Sequence, residues 1–68
     1  MKPESFGAWI RRQTHRDDSV GDLARDLAAD PIGPADDHVT TVVDYVATVA
    51  GSAASSACLS ASREWGAR

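Results

Sequence analysis

Enzymatic covalent chemistry needs a nucleophile, a base within hydrogen-bond reach, and a third group that orients the base. The sequence offers one cysteine (Cys58), two histidines (His15 and His38), and serines at 52, 55, 56, 60 and 62. Cys58 falls on an apolar helical stripe, where a cysteine usually acts as an inert small hydrophobe. The serines are spread around a helix and lack the glycine elbow that presents a nucleophilic serine. His15 and His38 fall in loops and belong to no recognisable triad. A ligand pocket of roughly 300 Å³ or more is also difficult to enclose in so short a chain. These residues point away from an enzyme, a cofactor and a small-molecule substrate.

Metal chemistry fares little better. Two histidines and one cysteine supply none of the paired spacings of structural zinc sites. Asp18, Asp22, Asp26 and Asp30 recur every fourth residue, which is a ridge along a helix and not the alternating ligand pattern of a calcium loop.

What remains is charge. The formal net charge is -3, but it is unevenly spread. Residues 1–16 hold Lys2, Arg11, Arg12 and Arg16 against Glu4, whereas residues 17–44 hold eight aspartates against Arg25. Folding that keeps the two segments apart gives a basic side, centred on Arg11, Arg12 and Arg16, and an acidic side, centred on Asp22, Asp26 and Asp30. These six are the candidate partner-binding residues. The basic cluster is the candidate for nucleic acid, yet three arginines beside an acidic segment fall short of a DNA-binding footprint. Net negative charge further opposes attraction to phosphate. Asp22, Asp26 and Asp30 repel one another by up to about 0.5 kcal/mol per i,i+4 pair, with Arg25 placed to relieve part of it.

The elements that must carry these groups follow from spacing. Ser5 can cap a first helix with Phe6, Trp9, Ile10 and Gln13 on one face. The polar run Thr14-His15-Arg16-Asp17-Asp18 breaks it. Asp18 or Ser19 restarts a helix whose stripe is Val20, Leu23, Ala24, Leu27 and Ala28, and Pro31, Gly33 and Pro34 end it, with Ile32 expected to tuck inward. Asp36 or Asp37 caps the third segment. Val39-Thr40-Thr41-Val42-Val43 is rich in strand-preferring residues, but no second such run exists to pair with it. Val39, Val42, Val43, Val46 and Val49 fit helical spacing, and Gly51 is expected to stop that helix. Ser52 opens the last one, with Ala54, Ala57, Cys58, Ala61 and Trp65 on its stripe.

Residues 45–62 carry no charge and approach the length of a bilayer span. They are mainly Ala, Ser, Thr and Gly, however, and are interrupted by Gly51 and Ser52, so they read as two helices meeting at a small-residue corner. The first ten residues include Glu4 and no long apolar run, which does not fit a secretory signal. One cysteine permits no internal disulfide and suits a reducing cytoplasm.

Several pieces then recur in a familiar order. They are Ser5-Phe6, Trp9-Ile10, a basic residue, a polar loop with Asp18, Val20-Gly21-Asp22-Leu23-Ala24 followed by Asp30, and a Pro-containing loop. Val42 ahead of Asp44-Tyr45-Val46 and a terminal Arg63-Glu64-Trp65 complete the set. The ordered set resembles the YozE-like family of small bacterial proteins, and it spans nearly the whole chain. The chain departs from that family at Ile32-Gly33-Pro34, where an aromatic-Pro pair is usual. It departs again at Val39, where a Tyr is common, and at Ala53, Ala54 and Ala57, where larger apolar residues stand. The resemblance implies a short helical bundle related to SAM domains and no catalytic residues.

The expectation is therefore a single all-α domain over residues 1–68, a compact four-helix SAM-like bundle with helices near 5–14, 19–30, 37–50 and 53–65. Phe6, Trp9, Ile10, Leu23, Leu27, Val42, Val46, Cys58 and Trp65 should form the core, and the last helix should bury mainly Leu59 and Trp65. The expected function is a cytoplasmic protein–protein interaction module, possible self-association included. A nucleic-acid accessory role through Arg11, Arg12 and Arg16 is the alternative, with no membrane, metal or cofactor.

Overall fold

Ser5 begins the first element. Its backbone is extended, and its hydroxyl accepts from the Ala8 amide at 3.4 Å, as an N-cap should. Helix α1 then runs Phe6–Arg11. A computed structural model describes residues 4–68; Lys2, counted above in the basic segment, lies outside them. α1 is shorter than the expected 5–14. The Arg12 amide reaches back only three residues, to the Trp9 carbonyl at 3.1 Å, and the chain tightens into a 3-10 turn over Gln13–His15. Gln13, on the apolar stripe, is buried and donates its side-chain amide to the same Trp9 carbonyl at 3.0 Å.

Helix α2, Ser19–Ala29, is capped by Asp18, whose carboxylate accepts from the Gly21 amide at 2.9 Å. Val20, Leu23, Ala24 and Leu27 are buried as the stripe requires, but Ala28 at its edge is exposed. Gly21 has a steric reason to be glycine, because a Cβ built there would stand 2.0 Å from the Arg16 carbonyl oxygen. The α2 N-terminus thus lies directly against the preceding loop. At the other end, Asp30 accepts from the Ile32 amide at 2.9 Å. This local turn, followed by Pro31, throws residue 32 outward: Ile32 is 86% exposed, not tucked inward.

Helix α3 is Val39–Gly66. Neither Asp36 nor Asp37 is its N-cap. His38 takes that place without a side-chain hydrogen bond, because Asp36 accepts from the His38 amide and Asp37 faces Arg11. The β-branched run is helical, and Val42 and Val46 are buried. A straight helix of 28 residues would be about 42 Å long, yet the longest dimension of the molecule is 33 Å. The bend is at Gly51, whose φ of 83° and ψ of -171° are non-helical, so two helical runs meet there at a kink. Among the described residues there are thus three α-helices and no strand, with α3 broken into two arms, 39–50 and 52–66.

The expected separate fourth helix is the second arm of α3. α3 is long and apolar enough to cross a membrane by length and composition, but its arms are each about 18–22 Å long, short of a ~30 Å hydrocarbon core.

α1, α2 and both arms meet around Phe6, Trp9, Ile10, Leu23, Leu27, Val42, Val46 and Cys58, all buried. Trp65 sits at the edge of this core, partly buried, its ring edge-on to Phe6 at 5.8 Å. Leu59, expected to be buried, is 43% exposed. It lies off the phase of Ala54, Ala57, Cys58 and Ala61, and the backbone of the arm carries that phase to the core.

Candidate functional site

The three arginines do not form a free basic face. Arg11 pairs with Asp37 at 2.6 Å, joining α1 to the loop before α3. Arg12 makes two hydrogen bonds to Glu4, each 2.6 Å. Arg16 spans Asp18 at 2.7 Å and Glu64 of the second arm at 2.6 Å. Their hydrogen bonds hold the carboxyls of Glu4 and Asp18 below the ordinary carboxylate range, for Asp18 with help from the Gly21 amide. Arg11, Arg12 and Arg16 thus tie successive segments together.

The acidic ridge is also divided. Asp22 pairs with Arg25, whose guanidinium also donates to the carbonyls of Thr14 at 2.8 Å and Arg16 at 3.0 Å. Arg25 therefore staples α2 to the loop, a role beyond relieving repulsion. Asp30 leaves the ridge: it accepts from the Tyr45 hydroxyl of α3, which keeps its carboxyl low, with the Ile32 amide contributing. Asp26 is exposed and has no ion pair among the described residues. Asp22 and Asp26 line a groove of about 220 Å³ whose far wall is Ala53, Ala54 and Ala57.

A second groove, of about 260 Å³, was not anticipated from the sequence. It runs between the arms of α3, with Val39, Thr40, Val43 and Asp44 on one side and Leu59 and Ser62 on the other. Its lining is mostly apolar, and Leu59 is the exposed large hydrophobic residue within it. Asp44 is exposed and free of ion pairs among the described residues. The signal was present in the spacing, because Leu59 falls between Cys58 and Ala61 but off their stripe. It could be placed only once the bend at Gly51 brought residues 39–43 opposite residue 59.

The groups that could do covalent chemistry stand apart. Cys58 is buried, and burial pushes its thiol up to about 11, so it is a neutral thiol near pH 7. His15 sits in the 3-10 turn against the Arg12 carbonyl at 3.2 Å, and His38 stands beside Asp36 at 3.2 Å, both exposed. Among the described residues, no three His, Cys, Asp or Glu side chains converge as a metal would require. Both grooves are open and smaller than the roughly 300–1,000 Å³ of typical small-molecule sites.

Comparison with known proteins finds no matching family model, no matching curated protein and no matching solved structure.

Proposed function

We propose that this chain is a cytoplasmic protein–protein interaction module, a SAM-like helical bundle of the YozE-like kind in which the two arms of α3 act as third and fourth helices. The observation that carries the reading is the groove of Val39, Val43 and Leu59, because an apolar groove with a large side chain left partly in water is the common mark of a docking surface. Its occupant is an amphipathic helix. Such a helix places residues at i, i+3 and i+4 into a groove of this kind. Asp44, the charged residue of the lining, selects a partner with a Lys or Arg beside its apolar stripe.

Selection of displayed helical peptides on the wild-type domain, with counter-selection on Leu59→Lys, tests this. Amphipathic basic helices should be enriched, and their binding should be lost in Leu59→Lys and weakened in Asp44→Lys while both variants stay folded. Enriched peptides that bind Leu59→Lys equally well would remove the groove from the proposal. The nucleic-acid alternative requires Arg11, Arg12 and Arg16 to leave Asp37, Glu4, Asp18 and Glu64. A duplex and single-strand titration across salt would reveal it by a steep loss of affinity.

A further inference from the structure

The second arm of α3 is held to the rest of the molecule from Ala54 onward, where Ala54 packs partly buried against the core. Ala57, Cys58 and Ala61 are its buried residues. Glu64 accepts from Arg16 at 2.6 Å, and the Trp65 indole N–H donates to the Glu4 carbonyl at 3.0 Å. Before that, residues 47–53 are all exposed, and nothing stands within 4 Å of a Cβ built at Gly51. Nothing therefore packs on the hinge itself: the contacts of the second arm hold the bend from beyond it, and they are contacts that a second copy can supply. At the hinge the bend needs one φ/ψ pair, 83° and -171°, in a region that essentially only glycine occupies. If Gly51 turns helical, α3 becomes one rod, and its second arm leaves the core with Ala57, Cys58 and Ala61 uncovered. The space it vacates between α1, α2 and the first arm is shaped for that arm, and a second copy carries the same arm.

We propose that Gly51 is a swap hinge, through which two copies of this chain exchange the second arms of α3 to form a closed two-fold dimer. The contacts in the dimer are those of the monomer, so hinge preference and concentration decide between the two forms. The dimer rebuilds each apolar groove from the first arm of one copy and the second arm of the other. The inference rests on the bend alone and stands or falls independently of peptide binding in that groove.

The test compares wild type and Gly51→Ala, each refolded from denaturant over micromolar to millimolar concentrations and sized by light scattering. Alanine is disfavoured in the bent conformation and favoured in a straight helix, which together move the bent–straight equilibrium on the order of 30- to 700-fold. Gly51→Ala should therefore dimerise at correspondingly lower concentration than wild type, with helical content retained. A folded Gly51→Ala that stays monomeric throughout would overturn the proposal. If that variant does not fold, co-refolding Arg16→Glu with Glu64→Arg decides. Each variant alone sets like charges opposite one another, and only exchanged arms restore opposite charges at both contacts. Native mass spectrometry should then find the mixed dimer at more than half of all dimers. A statistical mixture, or no dimer, rejects arm exchange.

Discussion

Replacing Gly21 with alanine sets two effects against each other, and the structure says which wins. Alanine favours the helix by up to about 1 kcal/mol over glycine, and by less in a first turn. Its Cβ, however, would lie 2.0 Å from the Arg16 carbonyl oxygen and 2.7 Å from the carbonyl carbon. Those atoms are backbone, so no rotamer change can move them aside. The carbonyl also accepts from Arg25 at 3.0 Å, and the Gly21 amide is bound to Asp18 at 2.9 Å. Relief requires α2 and the loop to separate, which breaks those contacts. Overpacking costs about 1–3 kcal/mol, and a rigid clash belongs at the upper end, leaving about 2 kcal/mol of net destabilisation. A domain of this size has only ~3–5 kcal/mol in all. Thermal denaturation should show Gly21→Ala melting about 8–16 °C below wild type. Gly66→Ala is the control: a Cβ there meets nothing within 4 Å, and the helix should gain a few tenths of a kcal/mol, on the order of half the interior propensity difference. A Gly21→Ala melting point equal to or above wild type would refute the close-approach argument.

Trp65→Ala should cost about 2–3 kcal/mol, below the ~3–5 of a fully buried tryptophan because Trp65 is only partly buried. Trp65→Phe should cost about 1 kcal/mol, for the lost bond to Glu4. Hydrogen exchange should show protection falling along the second arm in the alanine variant, and unchanged protection would place Trp65 outside the packing. Cys58 should react with a disulfide reagent at pH 8 only as fast as the protein opens, since its thiol is buried and pushed up to about 11; labelling at the rate of a free thiol contradicts its burial. Glu4, Asp18 and Asp30 have folded-state pKa values lowered by Arg12, Arg16 and Tyr45 respectively. Their contribution is present above the unfolded carboxylate pKa, near ~4, and is lost as pH falls through the lowered folded values. The melting temperature should accordingly hold from pH 8 to 5 and decline below about pH 4; a rise on acidification would reverse the sign.

The parts of the fold legible in the sequence were those set by periodicity. Val20, Leu23, Ala24, Leu27, Val42 and Val46 are buried where a 3.6-residue repeat puts them, although Ala28 and Val49 on the same stripes are exposed. A strand over 39–43 has no partner run in the sequence. What failed depended on local competition or distant geometry. Hydrophobicity points Ile32 inward, but the Asp30 turn and Pro31 decide its direction. Asp36 and Asp37 have the residue type of caps, but their carboxylates are engaged by the His38 amide and by Arg11. Of the candidate site residues, the arginine cluster was visible as composition, while its ion pairing was not, because Arg16 meets Glu64 across 48 residues of chain. The groove of Leu59 depends on a bend angle that no spacing encodes.

The bond from Trp65 to the Glu4 carbonyl joins residues 61 apart, at opposite ends of the described chain. A chain emerging from the ribosome presents Phe6 and Trp9 first and the residues that cover them last. α1, the 3-10 turn and α2 can collapse on one another early, since their contacts are local. The pocket around Phe6 closes only when the second arm arrives, because loop closure over such a separation comes after local contacts form. Until then the nascent protein exposes an aromatic surface. A cut or stop that removes the final turn takes Trp65 away from Phe6 and uncovers that side of the core, while Ala57, Cys58 and Ala61 still cover the rest.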